Sequence, residues 1–250
     1  MPDSPSSTDV PMPAAFFAGT LIHTDRGLRR ISDVKVGDLV LSQSDSIDTT
    51  ALRPVSNIAT IDEVPIVVVR FSCRAASSVQ SESMIMAGLP CFFVSGIDPE
   101  YPEEWRDELK AFLGWQEIRR IQSMLRVRSL ADPLASMKSV KQVWRGRTPS
   151  LGWTELSYDS DSGYSIVFND DDGFEETLVS NIHGLMEGRD YLDRHESSEI
   201  ANDVAMKTTV HAIELEDNLP FFIGQHGILV QPGRTSKSFT AWAHERIWED

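Results

Sequence analysis

Cysteine is scarce in this sequence, whose 250 residues contain only Cys73 and Cys91. The two lie 18 positions apart, and neither belongs to a Cys-x-x-Cys pair or has a histidine at zinc-binding spacing. This excludes a disulfide framework and predicts that the protein holds no metal. We interpret both residues as buried thiols.

Long apolar runs are also missing. A membrane helix needs about 20 apolar residues in a row, whereas the longest runs here, such as Ile66 to Val69, have the length of a strand. The first residues, Met1 to Pro13, are rich in Ser, Pro and Asp and lack the basic start and apolar core of a secretory signal. We expect a soluble, cytoplasmic protein without membrane contact, in which residues 1–13 form a disordered N-terminal segment.

Basic residues are outnumbered, with 23 Lys and Arg against 38 Asp and Glu, and the net charge is -15. Nucleic-acid binding draws its affinity from the neutralisation of phosphates, so this balance argues against a nucleic-acid partner. The hydrolase signatures Gly-x-Ser-x-Gly and His-Glu-x-x-His are absent as well. An unrelated β-rich hydrolase therefore has no support from motifs.

Short runs rich in β-branched and aromatic residues recur between turn residues. This pattern predicts a mainly all-β fold rather than repeating βαβ units. The predicted strands are Leu21 to His23, Leu39 to Leu41, Val64 to Phe71, Phe92 to Val94, Leu125 to Val127, Tyr164 to Phe168, Thr208 to Leu215, Phe221 to Ile223 and Ile228 to Val230.

One helix is predicted in this β-rich pattern, at residues 100–113. Acidic residues crowd its first turn, and Trp105, Leu109 and Phe112 recur at helical spacing. Trp105 and Phe112 could form an exposed docking face for another protein. We favour the alternative, in which the helix covers one edge of the sheet.

The C-terminal tail, residues 233–250, combines aromatic and charged residues. Phe239, Trp242 and Trp248 stand among charges there. Such a tail either folds back onto the domain or binds a partner, and the sequence leaves both open.

Two blocks of sequence carry a family resemblance. Residues Ala15 to Thr24, followed by Gly27 to Ser42, resemble the opening of a Hint (Hedgehog/intein) domain, in which the family reads Cys-Phe-x-Ala-Gly-Thr and later Gly-Asp-x-Val. Residues Val210 to Val230 resemble its closing strands, and Gly114-Trp115 resembles the turn between the blocks. The resemblance is closest to the Hint modules that precede toxin domains in bacterial polymorphic toxins. It implies one domain, residues 14–232, with a horseshoe of antiparallel strands and pseudo-twofold symmetry.

The resemblance also shows which catalytic groups this sequence lacks. Hint self-processing begins when a Cys, Ser or Thr attacks the preceding carbonyl, and Ala15 stands at that position. A Thr-x-x-His element should polarise the scissile amide, but Ala87 and Pro90 occupy its two positions. A methyl group and a proline ring supply neither a nucleophile nor a general acid.

The closing block departs from the family in the same way. Leu219 stands where the family has a further histidine, and Gln231-Pro232 replaces the final His-Asn pair. Proline has no side-chain amide that could cyclise and release a downstream segment. His211 and His226 are the residual acid-base candidates, but a base without a nucleophile does little.

Two functional hypotheses follow. We favour a catalytically inactive Hint scaffold, without cofactor, that binds another protein, such as a component of a bacterial toxin or secretion system. The alternative is an autoproteolytic or splicing Hint domain that the substitution at Ala15 has inactivated. The loss of catalytic groups in several separate blocks favours the first hypothesis. Scaffold glycines such as Gly19, expected at a turn or a close backbone approach, are retained and predict that the fold persists.

Overall fold

The computed structural model describes residues 14–43, 49–75, 78–88, 90–121, 124–131, 135–156, 161–169, 172–185 and 205–231, apart from the side chains at 75 and 119. The segments predicted at 1–13 and 233–250 lie outside these residues. So do Pro232, Trp242 and Trp248.

The described residues form strands along most of their length, together with one α-helix. The strands are β1 Ala15–Phe17, β2 Leu21–Thr24, β3 Gly27–Arg30, β4 Leu39–Gln43, β5 Thr50–Ala75, β6 Ser78–Ala87, β7 Cys91–Ile97, β8 Gly114–Glu117, β9 Leu125–Val127, β10 Ser136–Gln142, β11 Trp144–Arg145, β12 Leu151–Glu155, β13 Gly163–Phe168, β14 Phe174–Val179, β15 Lys207–Leu215, β16 Phe221–Ile223 and β17 Ile228–Val230. The helix, α1, spans Glu103–Leu109. The prediction of a mainly all-β fold with one helix is confirmed.

A large antiparallel sheet of 13 strands contains β1 to β10 and β15 to β17. Its longest member is β5, whose 26 residues pair in succession with β4, β15, β6 and β10. Valine and isoleucine dominate the middle of β5, where they suit a pleated surface that is buried. β5 is therefore the strand around which the sheet is organised.

A separate sheet of four strands has the order β11-β12-β13-β14. It packs against the face formed by β1, β5, β6 and β15, and the apolar side chains between the two sheets form what we call the inter-sheet core. Its buried members are Ala15, Phe17, Val64, Ile66, Val68, Ile85, Ala87, Val143, Ile166, Met206, Val210 and Ala212, with the partly buried Phe168 and Phe174 packed against them.

A second, larger core lies on the opposite face of β1. Successive side chains of a strand point to opposite faces, so Ala14 and Phe16 enter this main core, whereas Ala15 and Phe17 enter the inter-sheet core. Phe16 meets Phe221 edge to face, with ring centroids 6.3 Å apart. β1 is consequently packed on both sides, which an exposed edge strand is not.

The helix covers part of the main core. It is shorter than the predicted 100–113: α1 ends at Leu109, and a 3-10 turn continues to Phe112. Leu109 is buried and Phe112 packs against the main core, whereas Trp105 is 51% exposed. Among the described residues, no helix has the length and apolar character needed to cross a membrane.

Candidate functional site

The sequence-predicted nucleophile position lies in the interior of the large sheet. β1 is held between β15 and β6, and in the second pairing Ala15 is directly opposite Ala87. The structure thus brings together two of the positions that the resemblance assigns to self-processing. Both side chains have 0% exposure.

The surroundings of Ala15 are apolar. Ala15 and Ala87 belong to the inter-sheet core. On the same strand, Phe17 makes edge-to-face contacts with Phe168, at 5.3 Å between ring centroids, and with Phe174, at 6.4 Å. The four-stranded sheet therefore seals the face to which Ala15 points.

The glycine after this strand allows the two sheets to approach each other. A Cβ atom at Gly19 would overlap the backbone carbonyl oxygen of Asp172, which lies in the turn between β13 and β14. Asp172 also accepts a hydrogen bond of 3.3 Å from the Ser32 hydroxyl. The expectation of a close backbone approach at Gly19 is confirmed, and the approaching segment belongs to the four-stranded sheet.

The last described residue reaches the same neighbourhood from the other end of the chain. The Gln231 amide donates to the carbonyl of Cys91, with N and O 2.9 Å apart. Pro90 is buried, and its carbonyl accepts from the Ile118 amide at 3.1 Å. Four residue steps, at most about 15 Å of chain, separate Cys91 from Ala87. The predicted positions 15, 87, 90 and 231 are therefore gathered around residues 87–91.

Cys91 is the one thiol near this segment, and it is suited to remaining protonated. Cys73 is buried as predicted, whereas Cys91, for which the same was predicted, is only half-buried. Burial, together with the Glu117 carboxylate on the neighbouring strand, raises the pKa of the Cys91 thiol. Reactive cysteines require the opposite shift, because the thiolate is the nucleophile.

His211 faces away from Ala15. It is paired with Phe16, whose side chain enters the main core, and its Nδ1 lies 3.3 Å from the Thr60 hydroxyl. Burial lowers the pKa of His211, and the carboxylates of Asp172 and Asp62 oppose this shift.

His226 and Leu219 lie in other parts of the closing block. His226 is 7% exposed in the turn between β16 and β17, where its carbonyl accepts a 2.7 Å hydrogen bond from the Ser129 hydroxyl. Leu219 lies between β15 and β16, next to Pro220, whose carbonyl accepts from the Ser42 hydroxyl at 2.7 Å. Leu219 is thus placed beside the end of β4 rather than beside β1.

Comparisons with known proteins found similar folds and no similar sequences. No family model and no curated protein matches the chain. A bacterial intein-like domain from Clostridium thermocellum has a TM-score of 0.43 and 14% identity over 87% of this chain and 97% of its own. A DnaB intein from Synechocystis sp. PCC 6803 has a TM-score of 0.45 and 8% identity over 88% of this chain and 99% of its own.

A small cleft beside the sealed position escaped the sequence-based predictions. It has a volume of about 230 Å³, and Gly19, Glu82, Asp172 and Gly224 are among its lining residues. The Glu82 carboxylate accepts hydrogen bonds from the backbone amides of Gln225 and His226. Glu82 carries no motif, so only the glycines could have indicated this close packing.

His23 closes one side of the same region. Its Nε2 donates to the carbonyl of Gly224 at 2.9 Å. Burial lowers the pKa of His23, while this hydrogen bond and the Glu82 carboxylate act in the opposite direction. Among the described side chains, no group of three His, Cys, Asp or Glu is placed to hold a metal ion.

Proposed function

We propose that this chain is a Hint-type domain that does not cleave itself and that acts in the cytoplasm by binding another protein, a component of a bacterial toxin or secretion system. The observation that carries the proposal is the state of Ala15. Its side chain is a methyl group with 0% exposure, paired with Ala87 inside an apolar core.

The chemistry of self-processing explains why this observation weighs so heavily. The first step needs a heteroatom with a lone pair that attacks the carbonyl on its N-terminal side, and a base or acid to move the proton. At Ala15 there is no such heteroatom. The members of the inter-sheet core around the methyl group are apolar and supply no polar partner.

The alternative is an autoprocessing or splicing domain inactivated at a single position. The convergence of Ala15, Ala87, Pro90 and Gln231 around residues 87–91 favours it, because processing joins both ends of the domain at one place. This alternative predicts that a nucleophile at position 15 restores cleavage. The first proposal predicts that it does not.

The test is the variant Ala15→Cys, incubated with and without a thiol or hydroxylamine and followed by intact mass. We expect one unchanged mass, because Ala87 and Pro90 still supply no acid. We also expect iodoacetamide to label the new thiol only after unfolding. Ser95→Cys, at an exposed position of β7, is the matched control and should be labelled in the native state. Fragments cut before residue 15 would overturn the proposal and establish the alternative.

A further inference from the structure

The segment that runs from α1 to β8 presents apolar side chains to solvent. Within a stretch of 11 residues, Trp105 is 51% exposed, Leu113 is 45% exposed and Trp115 is 38% exposed. Trp115 rests edge-on against Phe93 of β7, with ring centroids 5.4 Å apart. We call the segment from Trp105 to Glu117, which carries these three exposed side chains, the α1–β8 edge.

The backbone pairing of β8 and the charge of this edge determine which kind of peptide segment could bind there. In the part of the chain that the structure describes, β8 pairs with β7 alone, so its other side can accept an added strand. From Glu103 to Glu117 the sequence holds five carboxylates and two cations. A complementary segment is therefore aromatic, basic and able to extend.

The first thirteen residues of the chain's own continuation have this composition and start nearby, whereas residues 245–250 add Arg246 and three carboxylates. Residues 232–244 contain Arg234, Lys237, Phe239 and Trp242 and no acidic residue. Gln231 is hydrogen-bonded to Cys91 on one side of β7, and Glu117 of β8 is paired with Cys91 on the other. Two strand spacings, about 10 Å, therefore separate the start of this continuation from β8.

The length of chain beyond Gln231 is sufficient. Nineteen residues follow it, and an extended chain covers about 3.3 Å per residue. Tethering also raises the effective concentration of the segment to the millimolar range, so that even a weak contact is largely occupied.

We propose that residues 232–250 are the occupant of the α1–β8 edge, held by their aromatic side chains and by Arg234 and Lys237. This inference does not depend on whether the domain can process itself. An external protein that used the same edge would have to displace this segment first.

Hydrogen exchange on the full chain and on a version ending at Gln231 tests the proposal. Removing residues 232–250 should lower the protection of the amides of 105–117 at least tenfold and leave β5 and β15 unchanged. A peptide of residues 232–250 should bind the shortened protein and restore that protection, and it should bind the full chain at least tenfold more weakly.

Two variants show whether the surface is the right one. Trp115→Ser in the shortened protein should abolish binding of the peptide. Leu178→Ser, at a hydrophobic residue with 61% exposure on β14, is the matched control and should leave binding unchanged. A peptide with Arg234→Glu and Lys237→Glu should bind at least tenfold more weakly. Equal protection in both chain lengths would overturn the proposal, and protection that rises with protein concentration would assign the edge to a second copy instead.

Discussion

The inter-sheet core and the α1–β8 edge are both rich in aromatic side chains. Within the described residues, those of the inter-sheet core are buried between two sheets, whereas those of the edge are exposed. Phe17 is 7% exposed beneath the four-stranded sheet, whereas Trp105 and Trp115 are 51% and 38% exposed. The face to which Ala15 points is closed by the protein's own four-stranded sheet. Two exposed tryptophans lie instead on the α1–β8 edge, and there we expect the protein's contacts to form.

The largest expected effect comes from the side chain that joins the two sheets. Phe17→Ala removes the ring that contacts Phe168 and Phe174, and we expect the free energy of unfolding to fall by about 3–5 kcal/mol. Urea denaturation measures it. Trp105→Ala, on the α1–β8 edge of the version that ends at Gln231, is the comparison and should change stability by no more than about 0.5 kcal/mol. Equal losses would mean that the two regions do not differ in the way described.

The next effect concerns the backbone approach at Gly19. Gly19→Ala places a methyl group against the Asp172 carbonyl, which must move the turn between β13 and β14, and we expect a loss of about 3 kcal/mol. Gly184→Ala is the control, because an added Cβ there meets nothing within 4 Å. Native-state hydrogen exchange should also show faster exchange in β13 and β14 for Gly19→Ala. Unchanged exchange in these strands would contradict the packing.

A smaller effect is expected at the polar contact between the sheets. Arg70 forms an ion pair with Glu176, and the other Glu176 oxygen accepts from the Ser83 hydroxyl at 2.7 Å. Arg70 also lies 4.1 Å from the centre of the Tyr164 ring. Glu176→Gln should cost about 2 kcal/mol, because it leaves a largely buried guanidinium without its charge partner. A double-mutant cycle with Arg70→Met measures the coupling energy of the pair. A value of zero would show that the ion pair does not stabilise the contact between the two sheets.

The smallest expected effect is a dependence of stability on pH. Burial holds the pKa of His211 below its usual value, so the neutral ring is the form that the fold accepts. The unfolded chain takes up a proton more readily, and stability should therefore be full above about pH 7 and decline as the pH falls below the unfolded pKa. His211→Gln should flatten this decline in urea titrations between pH 7 and 5. Parallel curves for the two proteins would show that His211 does not contribute.

Local patterns were enough to predict strands such as Phe221–Ile223, because β-branched and aromatic residues there alternate with turn signals. β6 was missed because the first half of Ser78–Ala87 is polar and exposed. The existence of a second sheet was missed as well, since it depends on distant contacts such as that between Arg70 and Glu176. Membership of a sheet is a property of long-range pairing, which short sequence windows do not contain.

The candidate site, like the fold, was predicted only in part from the sequence. The resemblance placed Ala15 and Ala87 among the processing positions, and the structure pairs them. No local signal relates two strands some 70 residues apart, so this pairing could come only from the family pattern. The same pattern could not predict that Phe168 and Phe174 cover the pair, because the four-stranded sheet lies in the stretch between the two matching blocks.

The position of β1 between β6 and β15 has a consequence for how the protein is made. During synthesis, the first strand emerges long before Lys207–Leu215, its second partner. At about 5–20 residues per second, the ribosome needs roughly 10–40 seconds to produce the residues between them. Phe16 and Phe17 lack their β15 neighbours for that time. The nascent chain therefore exposes an apolar N-terminal segment of the kind that chaperones bind.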